Sequence, residues 1–179
     1  MKGIVFREFG ELVIARFGDA TWDALITESK VPSGGAYTAV GTYPHEEAVA
    51  LLMALSRRTG VSPDDLLKMF GEHLFGVLSQ RYPFAVAGHA DLFPFLESLE
   101  GVVHVEVRKL YPDAELPSFV TRWEGDRFVL EYRSQRPFAS LAEGLLRGAI
   151  THWGGRYTLV RRALGSDGSR EAIFELGRT

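Results

Sequence analysis

Near Tyr111-Pro112 the apolar residues of this chain change their spacing, and the kind of structure they can form changes with it. Before that point they recur three and four residues apart, between helix start and stop signals. After it they alternate. A period near 3.6 does not fit a strand and a period of 2 does not fit a helix, so the chain is confined to helices first and sheet second. The expected class is α+β: a helical N-terminal subdomain packed on a C-terminal antiparallel sheet with an inserted helix. A cleft between two such parts is where a ligand would sit.

Residues 1–18 read as an amphipathic helix closed by Gly18, and 21–29 as a second that ends before Pro32. SGGAYTAVGTYP is loop-like. HEEAVALLMALSRRTG is a strong helix with Ala48, Leu51, Leu52 and Leu55 on its buried face and Gly60 at its end. The next helix starts with Ser62 as N-cap and Pro63 at the first position. A helix over 91–110 carries His104. Beyond it, SFVTRWEGDRFVLEYRSQ predicts two strands around an EGD turn, FASLAEGLLRGAITHW a helix, and YTLVRRALGSDGSREAIFELG a second hairpin around SDGS. Residues 1–179 fit one domain, divided into a helical part over 1–60 and proximal helices plus sheet over 61–179.

With 46% apolar residues the chain can bury a full core and still line a pocket. A net charge of -3 argues against a nucleic-acid partner, which would select a basic stripe. There is no cysteine, which removes disulfides, thiolate ligands and cysteine nucleophiles and fits a reducing compartment. No stretch approaches the roughly 18–20 apolar residues of a membrane span. Arg7, Glu8 and Glu11 interrupt the N-terminal apolar pattern, which is not that of a signal peptide. The expected setting is the cytoplasm, without membrane contact.

Enzyme constellations are thin. No Gly-rich loop follows a strand, no G-x-S-x-G elbow occurs, and no histidine pair has metal-ligand spacing. The pairs Glu46-Glu47 and Asp64-Asp65 fall at helix starts, where they offset the macrodipole. Of five histidines, His45, His89 and His152 read as surface residues, and His73 as a partly buried, hydrogen-bonded one. His104 lies among Val102, Val103, Val105 and Val107 and should be half-buried. On spacing alone it is a satisfied core histidine as readily as a ligand. Downstream, YRSQR places Tyr132, Ser134 and Arg136 at alternate positions, on one face if the segment is a strand. Y-x-S-x-R arises by chance about once in fifty chains of this length, so it needs support from elsewhere. Together an imidazole and a row of two hydroxyls and a guanidinium supply what haem asks of a protein: an axial ligand and a grip on two propionates.

These residues stand in an order that resembles the H-NOX (haem nitric oxide/oxygen binding, HNOB) domains, relatives of the haem domain of soluble guanylate cyclase. The resemblance runs nearly end to end. MKGIVFREFGELVIARFGDATWDAL is similar to the family's first two helices, His104 precedes Tyr111-Pro112 and Pro117-Ser118-Phe119 at the family's distances, and YRSQR matches its Y-x-S-x-R signature. The resemblance implies haem b (iron protoporphyrin IX) in the cleft, with His104 as proximal iron ligand and Tyr132, Ser134 and Arg136 on the propionates. It places Ile4, Val5 and Pro117 against the porphyrin.

On the distal side, oxygen-binding members carry a tyrosine that matches Leu141 here, flanked by Ser140 and Ala142; two supporting positions match Phe9 and Leu74. None of Leu141, Phe9 and Leu74 can donate a hydrogen bond. A lost charge-assisted hydrogen bond costs about 1.5–3 kcal/mol, which penalises O2 far more than NO. The expected function is a haem-based gas sensor, not an enzyme, that takes NO and CO on ferrous iron, excludes O2, and signals by release of His104. No kinase, cyclase or GGDEF-type sequence is present, so the expected partner is a separate signalling protein, such as a histidine kinase or a cyclic-di-GMP enzyme. The alternative is a haem-free interaction module of the same fold. A peroxidase or hydrolase would need a distal acid–base group, for which only His73 offers itself.

Overall fold

The computed structural model describes residues 1–164 and 168–179. Among the described residues seven α-helices and four strands follow one another, helices first and sheet second: α1 (Gly3–Phe17), α2 (Asp19–Ser29), α3 (His45–Thr59), α4 (Pro63–Arg81), α5 (Leu92–Ser98), α6 (His104–Leu110), β1 (Ser118–Glu124), β2 (Arg127–Arg133), α7 (Ala139–His152), β3 (Tyr157–Ala163) and β4 (Glu171–Arg178). The class is α+β, as the change of periodicity predicts. Two compact units are present, Met1–Phe70 and Gly71–Thr179, and the division falls within α4.

In the first unit the SGGAYTAVGTYP loop folds back on the start of α1. The amides of Gly3 and Ile4, which the helix itself cannot satisfy, donate to the Gly41 and Ala39 carbonyls at 2.8 and 3.0 Å. Phe6 stacks on Tyr37 with ring centroids 4.4 Å apart, and a Cβ on Gly3 would come 1.9 Å from the Thr38 carbonyl oxygen. Only glycine lets the loop lie that close. Leu51, Leu52 and Leu55 are buried on α3 as expected, with Ala48 half-buried. Glu47 lies in the first turn of α3, as expected, and has a second role there. It is buried, and its carboxylate accepts from the Ser33 hydroxyl at 2.5 Å and the Tyr37 hydroxyl at 2.8 Å. A carboxylate at a helix start can serve the macrodipole, but here two loop hydroxyls replace its water and pin the loop to α3.

In the second unit the strands form one antiparallel sheet in the order β1-β2-β4-β3. Phe128, Leu130 and Tyr132 of β2 and Ala172, Phe174 and Leu176 of β4 line its inner face. They pack with Ala139, Ala142, Leu146 and Ala149 of α7 and with Leu92, Phe93, Phe95 and Leu96 of α5. The outer face carries ion pairs, among them Arg122–Glu131 at 2.5 Å, Arg127–Glu175 at 3.1 Å and Arg162–Glu175 at 2.9 Å. The first hairpin turns through Gly125-Asp126, with Gly125 at φ 65. Of the expected SDGS turn, Ser166 and Asp167 lie outside the described residues.

The segment 91–110 is helical but not one α-helix. A π-helical turn, Leu99–Val103, separates α5 from α6 and ends where His104 begins. A π turn inserts a residue and rotates all that follows, a change that apolar spacing does not announce. Among the described residues no helix is long and apolar enough to cross a membrane.

Candidate functional site

His104 is the first residue of α6, and the π turn decides which way it faces. It is 8% exposed, whereas Val102 and Val105 beside it are 48% and 38% exposed. From 97 to 110 it is the one buried residue. Val102 and Val105 are therefore turned outward and the histidine inward, with Val103 and Val107 half-buried. Its Nδ1 lies 3.2 Å from a Glu100 carboxylate oxygen. The same oxygen accepts from the Phe119 amide at 2.7 Å. Burial pulls the imidazole pKa down, against the pull of Glu100 upward. Burial thus favours the neutral ring, the form that ligates a metal.

The P-S-F segment leads into β1, and its Phe119 stands between histidine and signature. The His104 and Phe119 rings are 5.5 Å apart, and those of Phe119 and Tyr132 are 5.7 Å apart. Phe119 and Tyr132 are cross-strand partners. Pro117, half-buried, lies just before the strand.

Of the signature only Tyr132 is in a strand. β2 ends at Arg133, and Ser134 and Arg136 lie in the bend that follows. Strand alternation is thus not what groups these side chains. The Ser134 amide still donates to the Arg170 carbonyl at 2.9 Å, and the chain turns away after it. The bend does the grouping instead: Ser134 Oγ accepts the Arg136 amide at 3.1 Å. Burial raises the Tyr132 pKa, against the pull of Ser134, Arg136 and Arg161, so the phenol keeps its proton. The Arg136 guanidinium donates to the Glu115 carbonyl at 3.1 Å and pairs with the Glu115 carboxylate. Its side chain is 14% exposed and that of Glu115 78%.

The other expected residues divide between the units. Ile4 and Val5 are in the first turn of α1, held by the loop described above, and Phe9 is one turn on. Phe9 packs edge-on against Phe70 at 5.3 Å. In the second unit Leu74 is buried on α4 and Leu141 half-buried on α7. His73 is half-buried on α4. Among the described residues no group of three or more His, Asp or Glu side chains could hold a metal ion, so a bare ion has no cage here.

Two contributors escaped the sequence reading. Glu100 had a signal, four residues before a histidine on a helix, where side chains meet. Glu115 sits in an irregular loop and had none.

A family model described as Haem-NO-binding matches residues 2–159. Comparison with curated protein sequences gives no match. Among solved structures, the Fe(II) unliganded H-NOX protein from K. algicida is 39% identical with a TM-score of 0.93, covering 100% of this chain and 97% of that one. The H-NOX from Shewanella woodyi, bound to IWP-051 in the Fe(II)CO state, is 37% identical with a TM-score of 0.84, covering 100% and 95%. An H-NOX protein from S. oneidensis in the Fe(II)NO state is 26% identical with a TM-score of 0.91, covering 100% and 99%.

Proposed function

The chain belongs to the haem-NO-binding (H-NOX) family, a family of haem-binding gas sensors, and on that premise we propose that residues 1–179 form one haem b domain that takes NO and CO, excludes O2 and signals to a separate protein. In this reading 1–60 is the distal part and 61–179 the proximal part. The observation that carries it is the buried His104 whose Nδ1 is already engaged by Glu100, so that Nε2 is the nitrogen left for iron.

The donor set fits haem. Haem brings four of its own nitrogens and asks for one more, which suits a lone imidazole and not a cage. Tyr132 keeps its phenolic proton and can donate to a propionate. Arg136 has five N–H donors, of which Glu115 occupies two, so a propionate could share it or displace the exposed carboxylate. When bound, haem would supply a ferrous iron that takes a diatomic ligand. Phe9, Leu74 and Leu141, which the family resemblance assigns to the ligand side, carry no hydrogen-bond donor, and this would disfavour O2. His104 would hold the iron, and its release would free the start of α6. The output partner is a signalling enzyme of the histidine kinase or cyclic-di-GMP class, as the family resemblance implies.

A visible spectrum of the reduced, haem-loaded protein under argon, then air, then NO tests this. A five-coordinate ferrous Soret band that air leaves unchanged and NO shifts is the expected result. A stable oxy spectrum would overturn the exclusion of O2. No haem band after reconstitution would leave the haem-free interaction module as the better reading.

A further inference from the structure

Glu100 has a position that ligand-holding alone does not require. It lies in the π turn, and one of its carboxylate oxygens serves two donors from different parts of the fold, His104 Nδ1 at 3.2 Å and the Phe119 amide at 2.7 Å. β1 is an edge strand, paired only with β2. The amides on its open side have no strand to donate to. Glu100 therefore fills the outermost hydrogen-bonding position of the sheet with the group that also holds the histidine. Phe119 in turn lies cross-strand from Tyr132, the start of the signature.

We propose that Glu100 is a positioning residue, whose single carboxylate oxygen orients the His104 ring so that Nε2 faces the iron and fastens that ring to the edge of β1. The inference rests on the reading of His104 as proximal ligand. A carboxylate on the far nitrogen makes an imidazole a stronger donor to metal. The shared oxygen also means that the ring cannot leave its place without disturbing the Phe119 amide. Release of the histidine is thereby transmitted to the sheet through one atom.

The test compares the parent with Glu100→Gln and Glu100→Ala in the haem-loaded ferrous protein. Three readouts are used: the iron–histidine stretching band by resonance Raman, the ferric/ferrous midpoint potential, and hydrogen exchange of the Phe119 amide. The band should move to lower frequency and the potential to more positive values in both variants, and further in Glu100→Ala. Glutamine keeps an acceptor, so Phe119 exchange should stay near the parent rate in Glu100→Gln and rise about tenfold in Glu100→Ala, the factor of one lost hydrogen bond. An unchanged band and potential in both variants would overturn the positioning role, and unchanged exchange in Glu100→Ala would overturn the link to β1. A parent protein without an iron–histidine band, or one whose band survives His104→Gly, would instead sink the ligand assignment itself. The exchange readout in haem-free protein separates the two, because the Glu100–Phe119 bond does not depend on iron.

Discussion

In the proposed reading, gas selectivity turns on single side chains. Leu141 is half-buried on α7, and in that reading it stands on the distal side and offers only methyl groups. Bound O2 carries partial negative charge and gains from a donor, whereas CO gains little. The Leu141→Tyr variant should therefore raise O2 affinity by roughly ten- to a hundredfold, with CO affinity nearly unchanged. Comparing O2 and CO binding isotherms of the ferrous variant and parent checks this. A constant O2/CO ratio would remove Leu141 from the distal side. At this scale the sequence was informative about identity and poor about environment. His104 could be singled out from its distance to Tyr111-Pro112 and YRSQR, but its valines pointed to an apolar nest. The fold instead exposes Val102 and Val105 and buries the histidine alone.

Elements read well where one period runs long enough. The α3 face, the helical segments and the two hairpins were legible, although the sequence read α5 and α6 as one helix over 91–110. Two things were not. The π turn before α6 adds one residue to a helix whose composition stays helical throughout, so no propensity marks it. The order β1-β2-β4-β3 was hidden because alternation tells which face a residue takes and not which strand lies beside it. Glycines inside helices carried a meaning that only packing reveals. A Cβ on Gly71 in α4 would lie 2.4 Å from the Leu141 carbonyl oxygen and 2.6 Å from the Leu145 amide nitrogen of α7. Backbone cannot yield as a side chain tip can. Gly71→Ala gains about 1 kcal/mol of helix propensity, but must force the two helices apart at roughly 1–3 kcal/mol. A net loss of about 1 kcal/mol is expected in urea unfolding. A stabilised variant would mean that α4 and α7 have slack there.

The largest scale is set by contacts far apart in sequence, which no local pattern encodes. Asp91 precedes the first residue of α5, and its carboxylate accepts the Tyr157 hydroxyl of β3 at 2.5 Å and pairs with Arg178 at the end of β4. One short side chain thus fastens a helix to the ends of two strands. Burial pushes its pKa up, but the hydrogen bonds from Tyr157 and Arg178 and the charge of Arg178 outweigh that and hold it below the usual value. A carboxyl whose folded pKa is depressed stabilises the fold at pH above its unfolded value, about 3.9, and loses that contribution as pH falls through the folded one. Arg178 is largely exposed, so its share is screened and the Tyr157 bond matters more. The Asp91→Asn variant should be less stable than the parent by roughly 1 kcal/mol. Urea unfolding of both proteins at pH 7, 5 and 3 should give equal gaps at the first two and a smaller gap at the third. A gap that keeps its full size at pH 3 would show that the ionised carboxylate is not what joins α5 to the sheet, and that the shape of the side chain alone does so.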